Sequence, residues 1–92
     1  MTADAPSRIR IDTHTQARAV ERGTNSDEIR DVISTGTPFS AHGGRHAKAK
    51  IYDFNAMWNG KFYRQKRVEV VYAVHNGELT TVTVYVFFGK WS

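Results

Sequence analysis

The stretch that decides the fold is residues 62–88, FYRQKRVEVVYAVHNGELTTVTVYVFF. At its centre stands Asn76-Gly77, a dipeptide that favours the tight turn of a β-hairpin because both residue types readily adopt positive φ. Valine, tyrosine and threonine are frequent on both sides of the turn, and these residue types favour strands. The sequence therefore predicts two long antiparallel strands, residues 62–75 and 78–88.

A two-residue turn also fixes which residues lie opposite one another. The pairs predicted in this way are His75 with Glu78, Ala73 with Thr80, Val71 with Val82, and Glu69 with Val84. One face is then aliphatic and suited to receive a helix: Val71, Ala73, Val82, Val84 and Val86. The other face stays open to solvent, as one face of an antiparallel sheet can: Val70, Tyr72, Thr81, Thr83, Tyr85 and Phe87.

Two helices are predicted before the strands. The first is capped by Thr13, ends at Gly23 and has a thin apolar stripe of Ala17 and Val20. The second has a capping box, with Asn25 followed three residues later by Glu28, and it ends at Gly36. Its apolar face consists of Ile29, Val32 and Ile33.

The remaining segments complete one domain of residues 8–92 behind a flexible leader, residues 1–7. Residues 8–12 alternate in polarity and predict an edge strand, and residues 37–47 predict a mobile loop that contains Gly43-Gly44. A further strand is predicted at residues 48–54, and Asn59-Gly60 predicts a turn. The expected fold is α+β, with two N-terminal helices on one face of a three- to four-stranded antiparallel sheet.

Charge is distributed unevenly along the chain. The net charge is +4, from 13 Lys and Arg against 9 Asp and Glu. Residues 45–67 hold seven basic side chains against the single acid Asp53, a local excess of +6. Such a block attracts phosphates, although a solvated basic face is the alternative. The chain has no cysteine, which excludes disulfides and thiolate metal sites, and it has no apolar run long enough to span a bilayer.

Two groups of residues suggest chemistry on RNA. His14, Arg18 and Arg22 are spaced i, i+4 and i+8, so they line one stripe of the first helix and combine a group that titrates near neutral pH with phosphate-binding guanidiniums. In the basic block, cations alternate with aromatic rings, a composition typical of single-stranded RNA recognition. The alternatives are a solvated helix face with an Arg18–Glu21 pair, and rings that belong to the core.

Metal and nucleotide cofactors are not expected. His42 and His46 are four residues apart, but Gly43-Gly44 lies between them, where no helix would aim both at one ion. A mobile loop that contacts phosphate is the favoured interpretation. The glycine pair also lacks the spacing of a phosphate-binding loop of the Walker or dinucleotide type.

The stretch His14-Thr-Gln-Ala-Arg18-Ala-Val-Glu-Arg22-Gly23, with the second helix and a last strand that carries Thr83 and Tyr85, resembles domain-of-unknown-function family 4258. That family's pattern is a His, an Arg four residues later, an Arg-Gly pair, a second helix and a terminal strand ending near a Tyr. The resemblance covers residues 11–87. The family looks like a branch of the RelE-like and barnase/EndoU-like ribonuclease toxins. Residues 42–58 depart from the pattern, and no catalytic lysine is assigned.

The resemblance implies a RelE/barnase-like fold and metal-independent cleavage of RNA through attack by the 2′-hydroxyl. It assigns catalytic roles to the residues that match the family's His, Arg and last-strand hydroxyls: His14, Arg18, Thr83 and Tyr85. The helix stripe and the basic block add the residues expected to bind substrate: Arg22, Arg45, His46, Lys48, Lys50 and Arg64. Either Lys50 or Arg22 would join Arg18 in stabilising the phosphorane.

The expected partners are RNA, whether tRNA, mRNA or ribosome-bound RNA, and an acidic antitoxin or immunity protein. The expected site of action is the cytoplasm, reached either by a free-standing toxin or by the C-terminal part of a secreted toxin. Two other interpretations stay open. One is a non-catalytic module that binds RNA or docks on the ribosome, and the other is a domain whose basic face receives an acidic protein.

Overall fold

The computed structural model describes residues 8–91, which form a five-stranded mixed sheet with two helices. The elements in chain order are β1 (Arg8–Arg10), α1 (Thr13–Arg22), α2 (Ser26–Thr35), β2 (Thr37–Phe39), β3 (His46–Trp58), β4 (Lys61–His75) and β5 (Glu78–Gly89). The strand order in the sheet is β1-β5-β4-β3-β2. The leader predicted for residues 1–7 lies outside the described residues. No helix among residues 8–91 is long and apolar enough to cross a membrane.

The α+β class and the two helices are confirmed, whereas the strand number and the purely antiparallel sheet were wrong. β1 pairs with β5 in parallel, with Arg8 opposite Glu78 and Arg10 opposite Thr80. β2 forms within the segment predicted as a loop and pairs with β3. Strands of three residues are too short to show a hydrophobic period, and Pro38 is tolerated because β2 is an edge strand.

Both helices begin and end close to their predicted bounds, because local capping decides them. Asp12, rather than the predicted Thr13, caps α1, and its carboxylate accepts a hydrogen bond from the Thr15 amide at 2.9 Å. Gly23 ends α1 in a left-handed conformation with φ of 90°. Asn25 caps α2 as predicted, since its side chain accepts a hydrogen bond from the Glu28 amide at 2.9 Å.

The face on which α1 packs differs from the predicted one. Thr15 and Ala19 are buried, while Val20 is 79% exposed and Ala17 is exposed as well. Thr15 and Ala19 stand at i and i+4, so they share one side of the helix, and their small side chains let it lie close to the sheet. A search for large apolar residues misses such a stripe.

The β4–β5 hairpin has the predicted turn but contains a bulge that the turn does not predict. Asn76 and Gly77 both have positive φ, and His75 pairs with Glu78 as expected. The register shifts between Val71 and Tyr72, so that Val71 lies opposite Thr83 and Val70 opposite Val84. Because a one-residue shift moves a side chain to the opposite face, the predicted faces were right for β5 from Thr83 onward and wrong for β4 and for Thr81.

The observed faces follow from this register. The helix-covered face carries the core residues of the long strands, including Val68, Val70, Tyr72, Leu79, Thr81 and Val84. We call the opposite side the open face; it presents Phe39, Ile51, Arg67, Glu69, Thr83, Tyr85 and Phe87. Thr83, Tyr85 and Phe87 therefore lie on the predicted open side, whereas Val70, Tyr72 and Thr81 are buried beneath the helices.

The basic side chains of β3 and β4 hold α2 on the sheet. Lys48 Nζ donates to the Ile33 carbonyl oxygen at 2.8 Å. Lys50 Nζ lies 2.7 Å from a carboxylate oxygen of Asp31. Lys66 has a side chain only 8% exposed, and its Nζ lies 2.7 Å from a Glu28 carboxylate oxygen and 2.8 Å from the Gly23 carbonyl oxygen. Much of the local excess of positive charge is therefore used within the fold.

Candidate functional site at the edge of strand β5

Helix α1 lies along a part of β5 that is unpaired on one side within residues 8–91. β1 pairs with β5 only at residues 78–80, so the side of β5 away from β4 has no strand neighbour among the described residues from Val82 onward. Two contacts hold α1 there. At its start, the Asp12 amide donates to the Thr81 hydroxyl at 3.2 Å, and at its end, Arg22 Nη1 donates to the Val84 carbonyl oxygen at 2.6 Å.

Arg22 connects the two faces of the sheet at this edge. It starts from the helix-covered side, donates to the Val84 carbonyl and places its guanidinium carbon 5.0 Å from the centre of the Tyr85 ring. Tyr85 lies on the open face and is 41% exposed. A cation in this position can bind a phosphate at the edge while its plane stays fixed by the ring and the carbonyl. Arg22 and Tyr85, both predicted site residues, are thus in contact.

Arg18 and His14 lie on the same stripe of α1, about one and two turns before Arg22. Arg18 Nη1 lies 2.7 Å from a Glu21 carboxylate oxygen, and both side chains are well exposed. This pair is the one that the solvated-face interpretation expected. Exposed pairs of this kind contribute little to stability, so a phosphate can compete with Glu21 for the guanidinium. His14 is exposed in the first turn of the helix.

His14 stands two residues from the carboxylate that caps its helix. Partial burial raises the pKa of Asp12, but hydrogen bonds from Thr15 and Thr81 and the positive charge of His14 together outweigh it, so the Asp12 pKa is lowered. Asp12 is therefore a fixed anion close to His14.

The two hydroxyl side chains predicted for catalysis are on β5 and lie on the face of the sheet opposite to α1. Thr83 is partly exposed on the open face opposite Val71, and Tyr85 follows two residues later on the same face. Since Asp12 is joined to Thr81 and Arg22 to Val84, residues 14–18 of the helix run beside this part of the strand. His14 and Arg18 thus lie on the helix-covered side of this edge and Thr83 and Tyr85 on the open face, and Arg22 contacts Tyr85 between the two sides.

The predicted substrate-binding residues outside α1 do not gather at this edge. Lys48 and Lys50 are engaged with α2, and β4 lies between their strand and β5. Arg45 and His46 are exposed at the start of β3, where the His46 ring stacks on the Tyr72 ring at 5.4 Å. Arg64 is exposed at the other end of the sheet.

Asp31 organises the contacts made by β3. Hydrogen bonds from Lys50 and then from Tyr52 lower the Asp31 pKa, although partial burial opposes them. Burial raises the pKa of Tyr52, and the hydrogen bond to Asp31 raises it further, so the phenol stays protonated. This network is complete without a ligand, which makes Lys50 a support for α2 in addition to its predicted role.

Several open-face residues were missed from the sequence. Arg67 lies in the middle of the face, paired with Glu69 at 2.8 Å and 5.6 Å from the Phe39 ring. Lys90 and Trp91 follow the last strand, and the Trp91 amide donates to the Gln65 side-chain oxygen at 2.6 Å. The alternation of Tyr85, Phe87, Gly89 and Trp91 was the available signal, since every second residue of an extended chain shares a face.

No three His, Asp or Glu side chains within residues 8–91 lie close enough together to hold a metal ion, and metal independence stays a prediction. Comparisons with family models, with curated proteins and with solved structures found no match to this chain. The resemblance to domain-of-unknown-function family 4258 therefore stays a prediction.

Proposed function

We propose that this protein is a metal-independent endoribonuclease of the small-toxin type, acting between α1 and the edge of β5 that has no strand neighbour within residues 8–91. The observation that carries the proposal is the position of Arg22, whose guanidinium spans from the helix stripe of His14 and Arg18 to Tyr85 on the open face. In this way one cation of the helix meets the ring of a strand residue that is far from it in the sequence. A RelE/barnase-like relation of the fold is part of the same proposal.

The proposed reaction needs only proton transfer and stabilisation of negative charge. The 2′-hydroxyl of RNA gives its proton to a base, and its oxygen bonds to the adjacent phosphorus. The bond from phosphorus to the 5′-oxygen then breaks, and an acid protonates that oxygen. The products are a 2′,3′-cyclic phosphate and a 5′-hydroxyl, with no external nucleophile consumed.

Each residue at the edge has a role that its position suits. His14 acts as the general acid or base, because an imidazole can both accept and donate a proton and this one is exposed on α1. Arg18 and Arg22 stabilise the charge on the phosphorane, and Thr83 and Tyr85 position the phosphate. Arg22 suits the second cation position better than Lys50, because Lys50 is on β3 and already binds Asp31.

A non-catalytic RNA-binding module is the second candidate, and the exposed rings and cations of the open face favour it. Binding of this kind does not need His14. The two candidate functions therefore differ in whether replacing His14 changes the activity. An acidic antitoxin or immunity protein is proposed as the protein partner, since Arg22 lies beside the strand edge that has no strand neighbour among the described residues and Arg18 is on the same helix. Delivery as the C-terminal part of a secreted toxin and action in the cytoplasm remain proposals of the same kind.

The test is cleavage of total bacterial RNA in EDTA by the wild type, by His14→Ala and by His75→Ala. His75 is the matched control, because it is also exposed but lies at the hairpin turn, next to Asn76. We expect 2′,3′-cyclic ends from the wild type and from His75→Ala, and a rate lower by about 100-fold or more for His14→Ala. Intact RNA together with salt-sensitive binding that His14→Ala leaves unchanged would replace the nuclease with the binding module.

A further inference from the structure

We propose that the open face binds unpaired RNA as an extended strand, with bases stacked on Tyr85, Phe87 and Trp91 and a phosphate held by Arg64 and Lys90. This proposal rests on the proposed function, because it names the form of RNA that reaches the site at the β5 edge. It makes the substrate a single-stranded segment of several nucleotides rather than a duplex.

The three rings form a row along β5 and the residues that directly follow it. Tyr85 and Phe87 are 41% and 48% exposed and point to the open face, where alternate residues stand roughly 6.6 Å apart. Gly89 continues the row opposite Gln65, and the Trp91 ring lies 3.5 Å from the position that a Cβ on Gly89 would occupy. Trp91, 41% exposed, therefore covers the place that Gly89 leaves empty.

A row of exposed aromatic rings on one face of a sheet is unusual. Large aromatic side chains gain free energy when they leave water, and a protein usually buries them. No helix of the described chain covers these three, because both helices lie on the other face. Nucleic-acid bases are flat and stack on rings with little preference for sequence, which makes unpaired RNA a suitable occupant.

Positive charges flank the row at each end. Arg22 lies over Tyr85 at the end nearest α1. At the far end, Arg64 and Lys90 line a cavity of about 160 Å³ together with Asp53, Asn55 and Gln65. Arg67 lies between the two ends, where Glu69 partly neutralises it. Cations beside stacking rings match the phosphates beside the bases of a single strand.

A duplex does not fit this arrangement. Its bases are stacked on one another and paired, so their flat faces are not available to Tyr85, Phe87 or Trp91. An acidic protein would be attracted by the same cations, but it would not need a row of three exposed rings. The rings therefore favour unpaired RNA over a protein partner for this face.

The test uses a 2′-O-methyl oligonucleotide of about ten nucleotides, which cannot be cleaved by 2′-hydroxyl attack, as a single strand and annealed to its complement. The Trp58→Phe variant leaves Trp91 as the one tryptophan, so quenching of its fluorescence reports stacking. We expect the single strand to bind and quench, the duplex to bind at least tenfold more weakly, and Phe87→Ala to weaken single-strand binding at least about fivefold. Arg64→Gln should lower the slope of log affinity against log salt by about one.

Phe62→Ala is the matched control, because Phe62 is also exposed but lies beside the Asn59-Gly60 turn, where β4 no longer pairs with β5. It should bind as the wild type does. Equal affinity for duplex and single strand, no effect of Phe87→Ala, or displacement of the oligonucleotide by polyglutamate at equal charge concentration would overturn the proposal. Cleavage of unmodified RNA without quenching overturns this proposal alone, and quenching without cleavage overturns the nuclease alone.

Discussion

The lysines on the helix-covered face and the cations around the open face carry the same charge but have different surroundings. Lys48, Lys50 and Lys66 end on carbonyls and carboxylates that belong to α2 or to the turn before it. Arg22 and Arg64, in contrast, reach exposed surface beside rings or a cavity. Basic residues of one chain can therefore either hold the fold together or remain accessible to a ligand, according to the groups that surround them.

Removing Lys66 should produce the largest change in stability. Its ammonium is nearly buried between Glu28 and the Gly23 carbonyl, so Lys66→Ala leaves a carboxylate and a carbonyl without their cation. We expect the free energy of unfolding to fall by about 3 kcal/mol, measured by urea denaturation. The double variant Lys66→Met with Glu28→Met removes both charges and should recover part of the loss. A stability close to that of the wild type for Lys66→Ala would remove the structural role of this group.

Lys50 and Arg64 allow the roles of the two groups of cations to be compared directly, although the expected change in stability is smaller than for Lys66. Lys50→Gln should lower the free energy of unfolding by up to about 1 kcal/mol, because the Lys50–Asp31 pair is partly exposed. Arg64→Gln should leave stability almost unchanged and weaken RNA binding more than Lys50→Gln does. The two measurements are urea denaturation and oligonucleotide titration at the same salt concentration. If Lys50→Gln weakened RNA binding more than Arg64→Gln did and left stability unchanged, the two groups of cations would not differ as described.

Acid should weaken the attachment of α2. The Asp31 pKa is lowered in the fold, first by the hydrogen bond from Lys50 and then by that from Tyr52. A group with a lowered folded pKa stabilises the protein fully above its unfolded pKa, here 3.8, and loses that contribution as the pH falls through the folded value. Stability should therefore decline less below pH 3.8 in Asp31→Asn than in the wild type. Parallel acid unfolding curves for the two proteins would contradict this.

Local signals were sufficient to predict much of the fold. Residues within a few positions of one another determine three features: the Asn76-Gly77 turn, the cap at Asn25, and the ends of both helices at glycines. The bulge between Val71 and Tyr72 has no such local signal, since the Asn76-Gly77 turn alone predicts an unbroken register. That one shift buried Thr81 and Tyr72, both expected on the open face.

The site was predicted less completely, because partners distant in the sequence decide it. The i, i+4, i+8 spacing correctly placed His14, Arg18 and Arg22 on one stripe, and it could not show that Arg22 reaches a carbonyl on β5. The basic block likewise gave no sign that Lys48 and Lys50 would bind α2, since their partners precede them by 15 and 19 residues. Lys90 and Trp91 belong to neither the helix stripe nor the basic block.

The most direct test of the account is the rate of RNA cleavage by Arg22→Gln in EDTA, beside Arg30→Gln as the control. Arg30 is an arginine exposed on α2, the helix that packs on β3 and β4. We predict that Arg22→Gln cleaves about 100-fold more slowly, although its free energy of unfolding falls by only about 1 kcal/mol, and that Arg30→Gln cleaves at the wild-type rate. Cleavage by folded Arg22→Gln at the wild-type rate would show that the β5 edge is not where the reaction occurs.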